Sequence, residues 1–146
     1  MSIFEDTLKQ ANIHGDYRPV VDLIPYAKLI GLDFDRFGQD VIFKLPDNTD
    51  NIGNPILPAV HGGVVGGFME MAAAIHLVMM MDTPAMPKIV DFSLDYLRAA
   101  KGGRDTFAEC QVTRQGSRVA NVVINAWQTR REESVAIARA HFLLAP

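Results

Sequence analysis

From Gly63 to Met81 the chain is apolar except for Glu70 and His76. That run exceeds the roughly 3–10 residues of a strand, and Pro84 and Pro87 close it, so the pattern predicts a helix. A helix that is apolar nearly all round must be covered nearly all round. One sheet covers one side only. The helix therefore calls for a sheet and for a second cover, which a second copy of the chain would supply. Dimerisation is expected from this pattern alone. A bilayer span is the other use for such a length. Glu70, His76 and the lack of flanking basic residues or an aromatic belt argue against it.

With 146 residues the chain is long enough for one domain with one sizeable core. A net charge of -3 argues against nucleic acid as the partner. Cys110 is the one cysteine, which excludes an intrachain disulfide and a cysteine-based zinc cluster. A reducing, cytoplasmic setting is expected, since Ser2-Ile-Phe-Glu-Asp lacks the basic flank and apolar run of a signal peptide.

Around the central helix the periodicity is mostly that of strands. Ile3 to Ile13 reads as an amphipathic helix with Phe4, Leu8 and Ala11 on one face. Val20 to Tyr26 has no clear period. Lys28 to Leu45 reads as two strands, with Ile30, Leu32 and Phe34, then Val41, Phe43 and Leu45 alternating across a Gly38-Gln39 turn. Pro46 to Pro58 is a loop. In Lys88 to Arg98, Ile89, Asp91, Ser93 and Asp95 share one side, and Val90, Phe92, Leu94 and Tyr96 the other. Arg104 to Arg114 and Arg118 to Thr129 flank the turn Gln115-Gly116-Ser117, and Ser134 to Leu144 forms the last strand. The expected fold is α+β: an antiparallel sheet of about six strands wrapped around a long central helix, with an extra N-terminal helix. The expected division is an N-terminal helical extension over 1–27 and the main domain over 28–146.

Asn54, then His61-Gly62-Gly63, then an acid nine residues after the histidine, then Asp91-Phe-Ser-Leu-Asp-Tyr96-Leu-Arg98 form a combined pattern. It resembles the hotdog-fold acyl-CoA thioesterases of the PaaI-like type, within the 4-hydroxybenzoyl-CoA thioesterase superfamily. The resemblance runs from about Leu29 to the C-terminus. It implies an acyl-CoA substrate, a dimer and no cofactor or metal; pairing of two dimers stays open.

Thioester hydrolysis needs a polarised carbonyl, an attacking carboxylate or activated water, and a dry acyl pocket. Backbone N–H groups at Gly62 and Gly63 open the helix, lack intrahelical partners and sit at its positive end. They are the candidate electrophile site; tight packing is the other use of such glycines. Glu70 is the candidate base or nucleophile, or else a structural acid bonded across an interface. Its neighbours one turn away, Gly66, Gly67, Ala73 and Ala74, are small, so a partner helix or a substrate can approach it. Eight residues separate Gly62 from Glu70, about 12 Å along a helix. One carbonyl is hardly held by the first and attacked by the second within one chain. Two antiparallel helices bring Gly62 of one against Glu70 of the other, and the resemblance implies the same composite site.

The resemblance makes Asn54 a positioner of water or substrate; otherwise it is a turn residue before Pro55. His61 orients the loop or the thioester, or simply bonds the helix start. His76 reads as a satisfied core or interface histidine. Arg98, Lys101, Arg104, Arg114 and Arg118 lie near strand ends, where the resemblance implies contact with CoA; isolated arginines there are usually solvated. Some family members carry a hydroxyl in register with Ile89, which this chain lacks, and Ser93 is not the same position.

Two rival readings remain. In acyl dehydratases of related fold, a histidine precedes and a glutamate follows a loop like Gly53-Asn54-Pro-Ile-Leu-Pro58. Here Asp50 and Val64 occupy those positions. A non-catalytic acyl-CoA-binding module is the second rival, for which Asn54, Gly62 and Glu70 would be superfluous.

Overall fold

A computed structural model describes residues 2–81 and 83–144. Three helices come first: α1 (Ile3–His14), α2 (Arg18–Asp22) and α3 (Pro25–Ile30). Two strands follow, β1 (Asp33–Phe37) and β2 (Asp40–Leu45), then a small ribbon of β3 (Ile52–Asn54) and β4 (Ala59–Val60). The central helix α4 (Gly62–Met81) precedes β5 (Lys88–Tyr96), β6 (Thr106–Gln115), β7 (Val119–Trp127) and β8 (Ser134–Leu143). The main sheet is antiparallel, has six strands and runs in the order β1-β2-β6-β7-β8-β5. This is the hotdog arrangement of a sheet around a helix.

The inner face of the sheet explains how the helix fits. Ala108, Ala126 and Ala136 lie level across β6, β7 and β8, and Ala138 and Ala140 continue the small surface. All five are buried. Short side chains there leave room for the bulk of α4, whose Phe68, Met69 and Leu77 are fully buried. Each such side chain contributes about 1.5–3 kcal/mol by leaving water. The helix has the length and composition of a membrane span, but 67% of that window is buried inside the protein.

The expected strand from Lys28 is in fact a helix as far as Ile30. Pro25 opens α3 and Gly31, at φ 81°, closes it. Ala27 and Ile30, three apart, are its buried face, so the chain turns extended only at Asp33. The expected loop Pro46 to Pro58 holds a short 3-10 turn (Thr49–Asn51) as well as β3. In β5 a bulge between Ile89 and Asp91 resets the alternation. Ile89 therefore joins Phe92 and Leu94 against the core, while Val90 is 57% exposed, which reverses the sides expected for Ile89 and Val90.

One consequence matters for the site. β5 is an edge strand nine residues long, hydrogen-bonded only to β8. Val90 and Tyr96 along it, and Leu97 just after it, are each more than half exposed.

Candidate active site

His61 builds the start of α4. Its carbonyl accepts from Val64 N–H at 2.9 Å and Val65 N–H at 3.1 Å, so it is the N-cap. Its Nδ1 accepts from Gly63 N–H at 2.9 Å, which assigns the Nε2–H tautomer. A Cβ on Gly63 would lie 2.9 Å from that ring, and one on Gly53 2.7 Å from the His61 Cα, so both glycines are required by the cap. His61 N–H in turn donates to the Asn51 carbonyl at 2.8 Å, and buried Asn51 bonds Ile30 O. Of the first three helical N–H groups, Gly63 is taken by His61 Nδ1 and Val64 by His61 O. Gly62 N–H alone has no acceptor among the described residues.

Tyr96 fixes this donor from the sheet side. Its hydroxyl donates to Gly62 C=O at 2.6 Å. A Cβ on Gly62 would sit 3.3 Å from the phenol, and one on Gly66 3.1 Å from Leu94. Gly67 faces Tyr26 of α3, whose hydroxyl would be 2.5 Å from an added Cβ. The small residues on α4 before Glu70 thus admit tyrosines of the same chain. Tyr26 is not marked by periodicity, and for Tyr96 the alternation gives a face of the strand but only the folded register puts it beside Gly62.

Gly62 and Glu70 line different cavities. The Gly62 cavity, about 270 Å³, also has Tyr96, Arg98 and Val135 in its wall. Arg98 is anchored there by donating to Ser134 O at 2.9 Å. The Glu70 cavity, about 360 Å³, is lined by Met71 and Ala74 of α4, by Ile89 and Phe142 of the sheet, and by the N-terminal helical layer. Among the described residues Glu70 is the one ionisable group lining it, and its carboxylate makes no hydrogen bond or ion pair with any of them. Ile89 is an apolar wall of this cavity.

The basic residues divide in the same way. Lys101 and Arg104 follow Arg98 on the connection that packs against Pro58 and Val60 near the start of α4. Arg114 and Arg118 flank the β6–β7 turn, level with the Ile89 end of β5 through Ala120 and Phe142. Asn54 is exposed in β3, and its Oδ1 accepts from Ile56 N–H at 3.0 Å and Leu57 N–H at 3.3 Å. That carbonyl shapes the loop and leaves the amide NH₂ outward.

His76 departs from the expected satisfied residue. It is 7% exposed and its Nδ1 has no partner among the described residues. Burial, helped by the Arg36 charge, lowers its pKa. Burial and then Glu109 push the Cys110 thiol up, which removes it as a nucleophile. Among the described residues no three His, Cys, Asp or Glu side chains converge as a metal site.

The sequence profile of the Thioesterase superfamily matches residues 57–135, which include His61, Gly62, Glu70 and Tyr96. The chain belongs to the thioesterase superfamily. It is a thioester hydrolase, and the site just described is its candidate centre. Among solved structures, a Chromobacterium violaceum protein is 44% identical, with 96% of this chain and 97% of that one aligned and a TM-score of 0.78. The Escherichia coli PaaI protein from the phenylacetic acid degradation operon is 18% identical over 95% and 94% of the two chains, TM-score 0.75. A Streptococcus mutans protein crystallised with acetyl-CoA is 16% identical over 78% and 88%, TM-score 0.67. A comparison with curated proteins returned no match.

Proposed function

We propose that this thioesterase hydrolyses acyl-CoA esters at a site shared between two chains. The carrying observation is the layout along the edge strand β5, whose outer side has no strand partner among the described residues. Gly62 lies at its Tyr96 end, and the Glu70 cavity at its Ile89 end. A two-fold axis that pairs β5 with the β5 of a second copy runs the strands antiparallel. The Tyr96 end of one chain then meets the Ile89 end of the other, and Gly62 of one faces Glu70 of its partner. The same pairing covers a long edge that otherwise invites aggregation.

In that site the thioester oxygen accepts from Gly62 N–H, held at the positive end of α4. Glu70 of the other chain attacks the carbonyl carbon or takes a proton from a water that does. The C–S bond breaks and the thiolate leaves, taking up a proton to give free CoA. Where water attacked, the free acid is formed directly; where Glu70 attacked, water then cleaves the acyl–Glu70 anhydride to the free acid and restores the carboxylate. Arg98 stands at the Gly62 cavity, suited to the CoA side of the ester. Asn54 and His61 shape the approach to Gly62. The acetyl-CoA held by the Streptococcus mutans protein supports a CoA ester as substrate.

Thiol release from a panel of acyl-CoA esters, measured for wild type and Glu70→Gln, tests the reading. Glu70→Gln is expected to lose at least a hundredfold in kcat. Undiminished turnover would remove Glu70 from the mechanism. A change in enoyl absorbance without thiol release would favour hydration, although the matching positions are an exposed Asp50 and an apolar Val64.

A further inference from the structure

We infer that the N-terminal helical layer measures the acyl group, and that the substrates are uncharged medium-chain or arylacyl thioesters. This rests on the acyl-CoA reading above. The matched superfamily region begins at residue 57, yet one wall of the Glu70 cavity comes from well before it: Phe4 of α1, Leu23 and Ile24 after α2, and Pro25 of α3. Selection of the acyl group therefore falls to a part of the chain outside the region that supplies Gly62 and Glu70.

Size and chemistry narrow the occupant. The cavity of about 360 Å³ is more than twice the roughly 150 Å³ that accommodates benzene in an apolar protein interior. A space more than twice the size of a benzene site suits acyl groups somewhat larger than benzene, such as octanoyl or phenylacetyl, and acetyl leaves most of it unfilled. Among the described residues no cationic side chain lines it, and the one charge there is the Glu70 carboxylate. A second carboxylate on the acyl group, as in succinyl, would enter an apolar space beside a like charge, unpaired.

Leu23 makes the idea testable without disturbing the core, because it is 40% exposed at the end of α2. The readout is kcat/KM for acetyl-, octanoyl-, dodecanoyl-, phenylacetyl- and succinyl-CoA, with thermal unfolding of each variant. Wild type is expected to favour octanoyl or phenylacetyl and to turn over succinyl at least a hundredfold less well. Leu23→Trp fills the cavity and should lower the octanoyl-to-acetyl ratio at least tenfold, since each displaced methylene is worth about tenfold or more. Leu23→Ala enlarges it and should raise the dodecanoyl-to-octanoyl ratio. If Leu23→Trp does not fold, Leu23→Ala alone decides. Ratios unchanged in folded variants, or succinyl as a preferred substrate, would overturn the inference while leaving the thioesterase reading standing. A wild type that releases no thiol from any ester would overturn the acyl-CoA reading itself.

Discussion

Two inactive variants of this protein should restore each other. Glu70→Gln removes the carboxylate charge while keeping its shape. Gly62→Pro removes the N–H that finds no acceptor among the described residues at the start of α4; the first helical position is where proline is best tolerated. An N-cap residue such as His61 typically takes the extended conformation that a following proline demands. Within one chain the two groups are about 12 Å apart along α4, whereas reacting atoms must come within about 3–3.5 Å. Losing the donor costs about 10²–10³ in kcat, so either variant alone should be close to background. In a mixed dimer, Gly62 of the Glu70→Gln chain faces Glu70 of the Gly62→Pro chain, and that site is intact. The other site carries both lesions. Dimers purified through two different tags should thus show about half of wild-type kcat, and a random equal mixture about one quarter, because half of its dimers are mixed. The assay is thiol release from the preferred ester. Mixed dimers no more active than either parent would show that both groups serve one chain's own site, and the shared-site reasoning would fail.

Two further outcomes follow from single contacts. Tyr96→Phe deletes the 2.6 Å bond to Gly62 C=O; a loss of about 0.5–1.5 kcal/mol predicts kcat down roughly 3- to 10-fold with KM little changed, and steady-state kinetics showing KM alone affected would put Tyr96 in ground-state binding instead. For His76, the folded chain resists protonation while the unfolded chain takes up a proton below its ordinary pKa of 6.5, so stability falls as pH drops through that value. Denaturant unfolding of wild type and His76→Leu from pH 7.5 to 5 should show the wild type losing more, and parallel curves would mean that His76 is not the group responsible.

Particular residues show how far the sequence reaches. The apolar run after Gly63 is legible as a core helix because its length and composition leave few other uses. The β6–β7 hairpin is legible because Gly116 interrupts two alternating runs. At β5 the alternation is legible for Phe92, Leu94 and Tyr96 but not for Ile89 and Val90, since a bulge inserts a residue without changing composition. Around Lys28, apolar residues at Ala27 and Ile30 fit a helix face, and Ile30, Leu32 and Phe34 fit a strand face; Pro25 and Gly31 decide between them only once the flanking helices pack. His76 reads as an ordinary core histidine, and that its Nδ1 finds no partner among the described residues is a property of the packing around it.

The candidate centre divides along the same line. Periodicity and spacing alone determine that Glu70 sits on a buried helix about 12 Å beyond a glycine-rich start, because helix rise per residue is a constant of the backbone. Which N–H is left free is decided in three dimensions, where the His61 side chain takes Gly63 and leaves Gly62. That the N-terminal helices wall the Glu70 cavity, and that Gly62 and this cavity lie beside opposite ends of the edge strand β5, is likewise settled only by tertiary structure. These are contacts between residues far apart in the chain, and no local pattern records which distant side chains will meet.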